Sequence, residues 1–230
     1  MLRIYKIVII FFLIISSQSL SAHVQHYNDL SRIEFDIYRN NKHIGQHIFF
    51  FEKSEEELAV KSEINFEIKK LGIVLYKYHA FGTEIYKDGK LVKFNSKTKQ
   101  NNKNKFVNMY LEDDKYIING SSYTGVVPLD FILGTWWNHE IVRAKAQISA
   151  VSGRIIKQKV TFLGKRTIIL NEIKYNTLHF NFSSIDKNLK ANKKLNTDVW
   201  YDEKTLNWVK ASFEKNGKWE YRLNKIAYFE

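Results

Sequence analysis

Alternation of apolar and polar residues dominates the chain after residue 30. It is clearest in Leu58–Lys69, where the apolar side chains at positions 58, 60, 64, 66 and 68 share one face. Lys, Glu and Asn residues occupy the other face of the same stretch. A period of two residues predicts an antiparallel strand with one buried and one solvated side.

Turn-forming residues divide this alternation into about a dozen predicted strands. The turns are predicted at Asn40-Asn41, Asp88-Gly89, Asp113-Asp114, Gly164-Lys165, Asp202–Thr205 and Asn216-Gly217. A sheet with so many sequential hairpins does not stay flat. We therefore expect an all-β domain with one strongly curved antiparallel sheet, an open or partial barrel whose concave side is apolar. A two-layer β-sandwich is the alternative.

The stretch PLDFILGTWWNH, residues 128–139, interrupts the strand pattern. It contains the single proline of the chain, Pro128, which lacks the N–H donor that a central strand needs. Pro128 and Gly134 suit the two ends of a short helix. We predict a helix over residues 128–137 that lies across the mouth or the concave side of the sheet, as a lid or as a plug. Trp136 and Trp137 would then face different ways.

The N-terminal residues have the features of a signal peptide. A positively charged start precedes the apolar run Ile7–Ile15, and small and polar residues follow as far as Ala22. The apolar run is too short to span a bilayer. We expect a signal peptide over 1–22, a single β-rich domain over 23–230, and an exported protein that is soluble in the periplasm after cleavage.

The net charge of +12 favours anionic partners, such as a membrane surface or an acidic glycan. An exported protein rarely meets nucleic acid, so nucleic acid is not an expected partner. A compositional bias towards Lys and Asn would raise the charge without any partner, and this second interpretation remains open. The oligomeric state is not predicted.

The sequence contains no Cys and no motif of nucleophilic catalysis, so we predict no catalytic residue and no cofactor. His43 and His47 would share a strand face roughly 13 Å apart, which is too far for one metal ion. A copper site at His23, if cleavage made it the N-terminus, has little support. No metal site is therefore predicted. Asp130, Asp198, Asp202 and His139 remain candidates for a hydrolase only if the fold brings them together.

The aromatic residues are the strongest candidates for ligand contacts. Trp200 and Tyr201 must point to opposite faces of a strand, and the alternation of Trp208 with Lys210 predicts a wetter face or a position under a loop. The predicted ligand-binding set is Phe131, Trp136, Trp137, Asn138, His139, Trp200, Tyr201 and Trp208. The alternative is that these side chains only fill the core.

Three stretches resemble an exported bacterial family of unknown function: YRNNKHIGQHIF (38–49), TWWNHEIVRAKAQISAVSGRI (135–155) and DVWYDEKTLNWVKASFEKNGKWEYRL (198–223). Trp137-Asn138 and Ser152-Gly153-Arg154 match the Trp-Asn pair and the Gly-Arg turn of such relatives. The family is loosely similar to curved-sheet envelope proteins that carry lipoproteins or lipids. The resemblance implies a fold and a compartment, and no catalytic residues.

We therefore expect a non-enzymatic envelope protein that binds an apolar or amphipathic, lipid-like ligand on the concave face. A hydrolase of an envelope glycan and a scaffold subunit of an envelope complex are the alternatives.

Overall fold

A computed structural model of the protein describes Tyr27 and residues 29–230, which form one 15-stranded sheet that is nearly closed into a barrel. The strands are β1 (Leu30–Arg39), β2 (Lys42–Lys53), β3 (Glu57–Lys70), β4 (Ile73–Lys87), β5 (Lys90–Gln100), β6 (Lys103–Glu112), β7 (Lys115–Gly120), β8 (Tyr123–Pro128), β9 (Phe131–Leu133), β10 (Ala146–Ile148), β11 (Ile155–Leu170), β12 (Ile173–Ser184), β13 (Asn196–Asp202), β14 (Trp208–Glu214) and β15 (Lys218–Tyr228). The single curved antiparallel sheet is confirmed, and the two-layer sandwich is not formed. The predicted signal peptide over 1–22 and His23 lie outside the described residues.

The strand order is β8-β7-β6-β5-β4-β3-β2-β1-β15-β14-β13-β12-β11-β10-β9. Pairing of β1 with β15 joins the first and last strands, so the two edges of the sheet are β8 and β9. The turn before β11 crosses the seam between the edges, because Ser122 N donates to Ser152 O at 2.8 Å. Residues 129–154, which connect β8 to β11, are called the plug segment below.

The helix predicted over 128–137 is wrong in place and in type. Phe131–Leu133 is the short strand β9, which lies parallel to β10. A 3-10 helix begins only at His139 and ends at Arg143, with the Asn138 side chain accepting a hydrogen bond from Glu140 N. The extended apolar run pairs with Ala146–Ile148, and this pairing outweighs the helix-starting tendency of Pro128.

β-Bulges overturn two further predictions. Gly164 does not form a turn, because it lies within β11 and pairs with His179 next to a bulge at Leu163, and the chain turns at Asn171 instead. A register shift in β2 beside Ile37 and Tyr38 turns His43 outward, towards Asp36, while His47 points inward. The two histidines therefore do not share a face.

A third bulge buries Trp208. The β13–β14 register pairs Trp200 with Lys210 but Tyr201 with Trp208, so that Val209 is the extra residue. Trp208 and Val209 are both fully buried. Of the two positions predicted for Trp208, the wetter face is wrong, because the bulge resets the alternation on which it was based. The other, a position under a loop, agrees with the contact of its ring with Trp136 in the plug segment, at 5.6 Å.

The charges are divided between the two ends of the barrel. Turns after β1, β3, β5, β7, β10, β12 and β14 lie at one end, because successive turns of an antiparallel meander alternate between ends. This basic end carries Arg39, Lys42, Lys70, Lys103, Arg154, Lys187, Lys190, Lys193, Lys194, Lys215 and Lys218 in or beside its turns, against the acidic residues Asp186 and Glu214. The turns of the acidic end carry Glu55, Glu56, Glu57, Asp88, Glu112, Asp113, Asp114, Asp130, Glu172, Asp202 and Glu203, against Lys53, Lys87, Lys90, Lys115 and Lys204.

Gly45 allows β2 and β3 to approach closely at the basic end. A Cβ atom at position 45 would lie 2.1 Å from Asn65 O and 2.5 Å from the Cα of Phe66. We expect Gly45→Ala to lower the free energy of unfolding by about 3 kcal/mol, because the two strands must separate. Gly72→Ala is the matched control: its φ of +80° carries a cost of about 1 kcal/mol, and no atom of the residues that the structure describes lies within 4 Å of its added Cβ. Equal losses for the two variants in urea unfolding would contradict this account.

Candidate functional site

Trp137 anchors the plug segment inside the sheet. It is fully buried, and its ring lies edge-on to Tyr27, Phe51 and Tyr86 at centroid distances of 5.2, 5.3 and 5.6 Å. Its Nε1 donates a hydrogen bond to Glu84 Oε1 at 2.9 Å. Because Trp137 fills the core, the 128–139 stretch is a plug and not a lid.

Glu84 is a carboxyl group in the barrel interior, on β4. It is 1% exposed and accepts hydrogen bonds from the Tyr86 hydroxyl, at 2.5 Å, and from Trp137. Burial raises the pKa of Glu84 to about 7, against the opposing effect of these hydrogen bonds. The carboxyl group that accepts the hydrogen bond of Trp137 therefore changes its charge near neutral pH.

Trp136 has a strained backbone that turns its side chain away from Trp137. Its φ of +63° is rare for a bulky residue, and Tyr201 Oη donates to its carbonyl oxygen at 2.9 Å. The indole ring lies edge-on to Trp208 at 5.6 Å and to Tyr221 at 6.1 Å. Its Nε1 also reaches Gln147 Oε1, at 3.4 Å. As predicted, the two tryptophans face different ways.

Trp136 forms part of the wall of an interior cavity of about 250 Å³. The cavity lies between the plug segment and strands β2–β5. The main lining residues are His47, Tyr78, Ala80, Gly82, Phe94, Ser96, Thr98, Trp136, Gln147 and Tyr221. Within the described part of the chain, no Lys, Arg, Asp or Glu belongs to the lining. The cavity is therefore apolar with hydroxyl, amide and imidazole groups and without a formal charge.

The cavity exists because the inward positions of β4 and β5 hold small side chains. Ala80 pairs with Thr98 and Gly82 with Ser96, and all four are buried on the inner side. Ser96 Oγ donates to Ala150 O at 2.5 Å, which fixes the opposite wall. Larger residues here would fill the space below Trp136.

His47 is the principal polar group of the wall on β2. It is 6% exposed, and its ring lies 4.2 Å from that of Phe49 and 5.9 Å from that of Tyr221. Burial lowers the pKa of His47 to about 3, so the imidazole is uncharged at neutral pH. Its Nδ1 has no hydrogen-bond partner among the described residues. Such an unpaired group is costly inside a protein and marks a candidate contact for a ligand.

The other predicted ligand residues do not gather at this cavity. Trp208 is buried beneath it and contacts Phe35, with ring centroids 3.9 Å apart. Trp200 lies on the outer face, stacked on His179 at 4.2 Å. Phe131 lines a separate cavity of about 230 Å³, to which Asn138 also belongs.

His139 is held by hydrogen bonds to Tyr27 and has a structural role. Its Nδ1 lies 2.7 Å from Tyr27 Oη, and its backbone N–H donates to the same oxygen at 3.1 Å. Burial raises the pKa of Tyr27 far above its ordinary value, so the phenol stays protonated. The pair joins the N-terminal part of the domain to the plug segment.

The three carboxylates considered for hydrolysis are held by separate neighbours. Asp130 pairs with Lys145 at 2.7 Å. Asp198 accepts from Asn181 Nδ2 at 2.9 Å. Asp202 Oδ1 accepts from the backbone of its own turn, including Thr205 N at 2.8 Å. The fold therefore does not assemble them, with His139, into one site.

The sequence reasoning missed the residues that define the cavity: His47, Tyr78, Ser96, Thr98, Gln147, Tyr221 and the nearby Glu84. The inward positions of β4 offered a signal, because Ala80, Gly82 and Glu84 are consecutive inward residues that cannot fill an apolar core. His47 shares the inward face of Phe49 and Phe51, but a single histidine on such a face does not indicate a cavity. Gln147 gave no comparable signal, since the pairing within the plug segment determines its direction.

Two further properties concern the described residues alone. No group of three or more His, Cys, Asp or Glu side chains within Tyr27 and 29–230 could hold a metal ion. Among the same residues, no helix has the length and hydropathy required to cross a bilayer.

Comparison with known proteins agrees with this architecture. A family model described as domain of unknown function (DUF6134) matches residues 35–224. The structure is similar to that of a β-barrel-like protein of domain of unknown function DUF1849 from Brucella abortus, with a TM-score of 0.60 and 11% identity over 88% of this chain and 98% of that one. A Bacteroides fragilis protein with a YmcC-like fold gives a TM-score of 0.38 and 9% identity over 87% and 99% of the two chains. No curated protein matches the chain. The Brucella likeness supports the fold alone.

The raised pKa of Glu84 predicts a specific dependence of stability on pH. The folded state holds the proton up to a pKa of about 7, whereas the unfolded state releases it near 4.5. This stabilisation is complete below pH 4.5 and is lost as the pH rises to 7. Between pH 5 and pH 8 the wild type should lose roughly 2–3 kcal/mol more than Glu84→Gln, which does not titrate. Urea unfolding at both pH values measures the difference, and parallel pH profiles would show that Glu84 ionises normally.

Proposed function

The chain belongs to the DUF6134 family of domains of unknown function, as its resemblance to such a family predicted, and we propose that it binds a small, uncharged amphipathic molecule in the interior cavity. The observation that carries the proposal is the cavity beneath Trp136, in which the unpaired polar group of His47 lies among aromatic side chains. Concave apolar cavities with a few polar groups are the usual form of small-molecule sites.

The lining favours an uncharged ligand. A carboxylate or ammonium group inside the cavity would lose its hydration and would find no opposite charge among the lining residues. His47 cannot supply that charge, since its pKa of about 3 keeps the ring neutral. A hydroxyl, ester or amide group can instead exchange hydrogen bonds with a neutral imidazole.

The volume favours a short ligand. A cavity of about 250 Å³ holds about eight water-sized groups, at roughly 30 Å³ each. This volume is just below the roughly 300–1,000 Å³ of typical small-molecule sites. The ligand, or the part of it that enters, is therefore about the size of an eight-carbon chain with one polar group.

The aromatic groups orient such a chain. Trp136 and Tyr221 provide an apolar wall next to His47, while Thr98 and Gln147 add polar groups.

We place this binding outside the cytoplasm, because the segment over 1–22 has the charge and hydropathy of a signal peptide. In this role the protein binds and releases its ligand without catalysing a reaction.

A cavity-filling variant tests the proposal. Ala80→Leu adds apolar volume to the cavity, and Ala59→Leu adds the same volume to the outer face of β3. With 1-octanol as the probe in titration calorimetry, we expect Ala80→Leu to weaken binding at least tenfold, because the added side chain occupies the site. Ala59→Leu should bind like the wild type.

Octanoate at pH 7 is the matched charged probe. It should bind at least tenfold more weakly than 1-octanol, since the cavity offers its carboxylate no counter-charge. Equal binding of 1-octanol and octanoate would contradict the proposal that the site selects uncharged ligands. Unchanged octanol binding by Ala80→Leu would show that the ligand does not bind in this cavity.

A further inference from the structure

The β3–β4 hairpin projects beyond the rest of the sheet at the basic end. Pairing of β2 with β3 stops at Gly45 and Phe66, and pairing of β4 with β5 stops at Tyr78 and Gln100. Asn101 still contacts β4 beyond Tyr78, because its N–H donates to Lys77 O at 2.9 Å and its side chain accepts from Lys77 N at 2.7 Å. Among the described residues, those between Ile68 and Leu75 form a two-stranded ribbon that pairs with no third strand. At about 3.3 Å per residue, its tip at Leu71 extends roughly 10 Å beyond Ile68.

The tip of this ribbon is apolar and exposed. Leu71 is 94% exposed, Ile73 66% and Leu75 55%, with Val74 beside them at 46%. Side chains of this type are usually withdrawn from water, and a contiguous exposed group of them marks a surface for an apolar partner.

The turn residue itself departs from the pattern of the chain. The other tight hairpin turns with a positive φ at their first position begin with Asn40, Asp88, Asn101, Asp113, Asn171 and Asn216. Leu71 adopts the same conformation, with a φ of 51°, although Asn or Asp would adopt it at lower cost. Turn formation therefore does not explain the leucine at this position.

Basic residues surround the apolar tip. Lys69, Lys70 and Lys77 lie on the ribbon, and Lys69 and Lys77 share the carboxylate of Glu67. The neighbouring turns of the same end are those that carry most of the positive charge, including Arg39 and Lys103. An apolar tip within a ring of cations is complementary to an anionic bilayer, where apolar side chains enter the acyl boundary and Lys residues meet the headgroups.

We propose that the β3–β4 hairpin inserts its tip, Leu71 to Leu75, into the interface of an anionic lipid bilayer, with the basic end of the barrel facing the membrane. This docking is independent of the ligand in the interior cavity. The proposed docking identifies an anionic membrane as the partner of the positively charged residues, which the composition alone does not do.

The experiment measures binding of the purified protein to vesicles of phosphatidylglycerol and phosphatidylcholine by co-sedimentation. Leu71→Asn replaces the exposed leucine with a residue that suits the turn, so the variant should fold at least as well as the wild type. We expect it to bind about ten- to a hundredfold more weakly, because the most exposed apolar side chain is lost. Added salt should weaken wild-type binding as well.

Ile173→Asn is the matched control. Ile173 is 54% exposed beside the β11–β12 turn, at the acidic end, and its replacement should leave vesicle binding unchanged. Absent wild-type binding, or equal binding by Leu71→Asn, would overturn the proposal. Concentration-dependent dimerisation that Leu71→Asn abolishes, without vesicle binding, would instead identify a second copy of the chain as the partner and would overturn it too.

Discussion

The hydrogen bond from Trp137 Nε1 to the buried carboxyl of Glu84 is the interaction on which the interior depends. A sheet of 15 strands that curls upon itself encloses more space than its own inward side chains fill. The plug segment enters this space from the β8 edge, and Trp137 is its largest fully buried side chain. Both the indole N–H of Trp137 and the carboxyl group of Glu84 are buried away from water, so a broken hydrogen bond would leave a polar group without a partner. The bond therefore fixes the position of the plug segment inside the sheet.

The position of Trp137 determines the direction in which the side chain of the preceding residue, Trp136, points. Two consecutive large rings cannot both enter the same part of the core, and the positive φ of Trp136 directs its ring towards β14 and β15. Small inward residues of β4 and β5 leave a cavity below it, and His47 brings an uncharged polar group to its wall. The site thus results from close packing around Trp137 on one side of the plug segment and from the cavity beside Trp136 on the other.

The sequence predicts the sheet better than the site. Alternation over Leu58–Lys69 and the Asp88-Gly89 turn depend on local chemistry, and the structure confirms both. Single-residue bulges beside His43 and Trp208 change the predicted faces, and a third bulge lies where a turn was predicted at Gly164, because alternation has no marker for an inserted residue. Residues of the plug segment follow pairings across the whole chain, such as β9 with β10, and local propensity favours a helix there. The sequence therefore predicts a ligand contact for Trp136 and none for His47, although both residues line the same cavity.

Nitrogen NMR of the His47 imidazole tests the central claim most directly, because it reports both the charge of the ring and its contact with a ligand. The account predicts a ring that stays neutral until the pH approaches about 3, with signals that shift when 1-octanol is added at pH 7. A ring that titrates near pH 6.5, as in water, and that does not respond to octanol would contradict it.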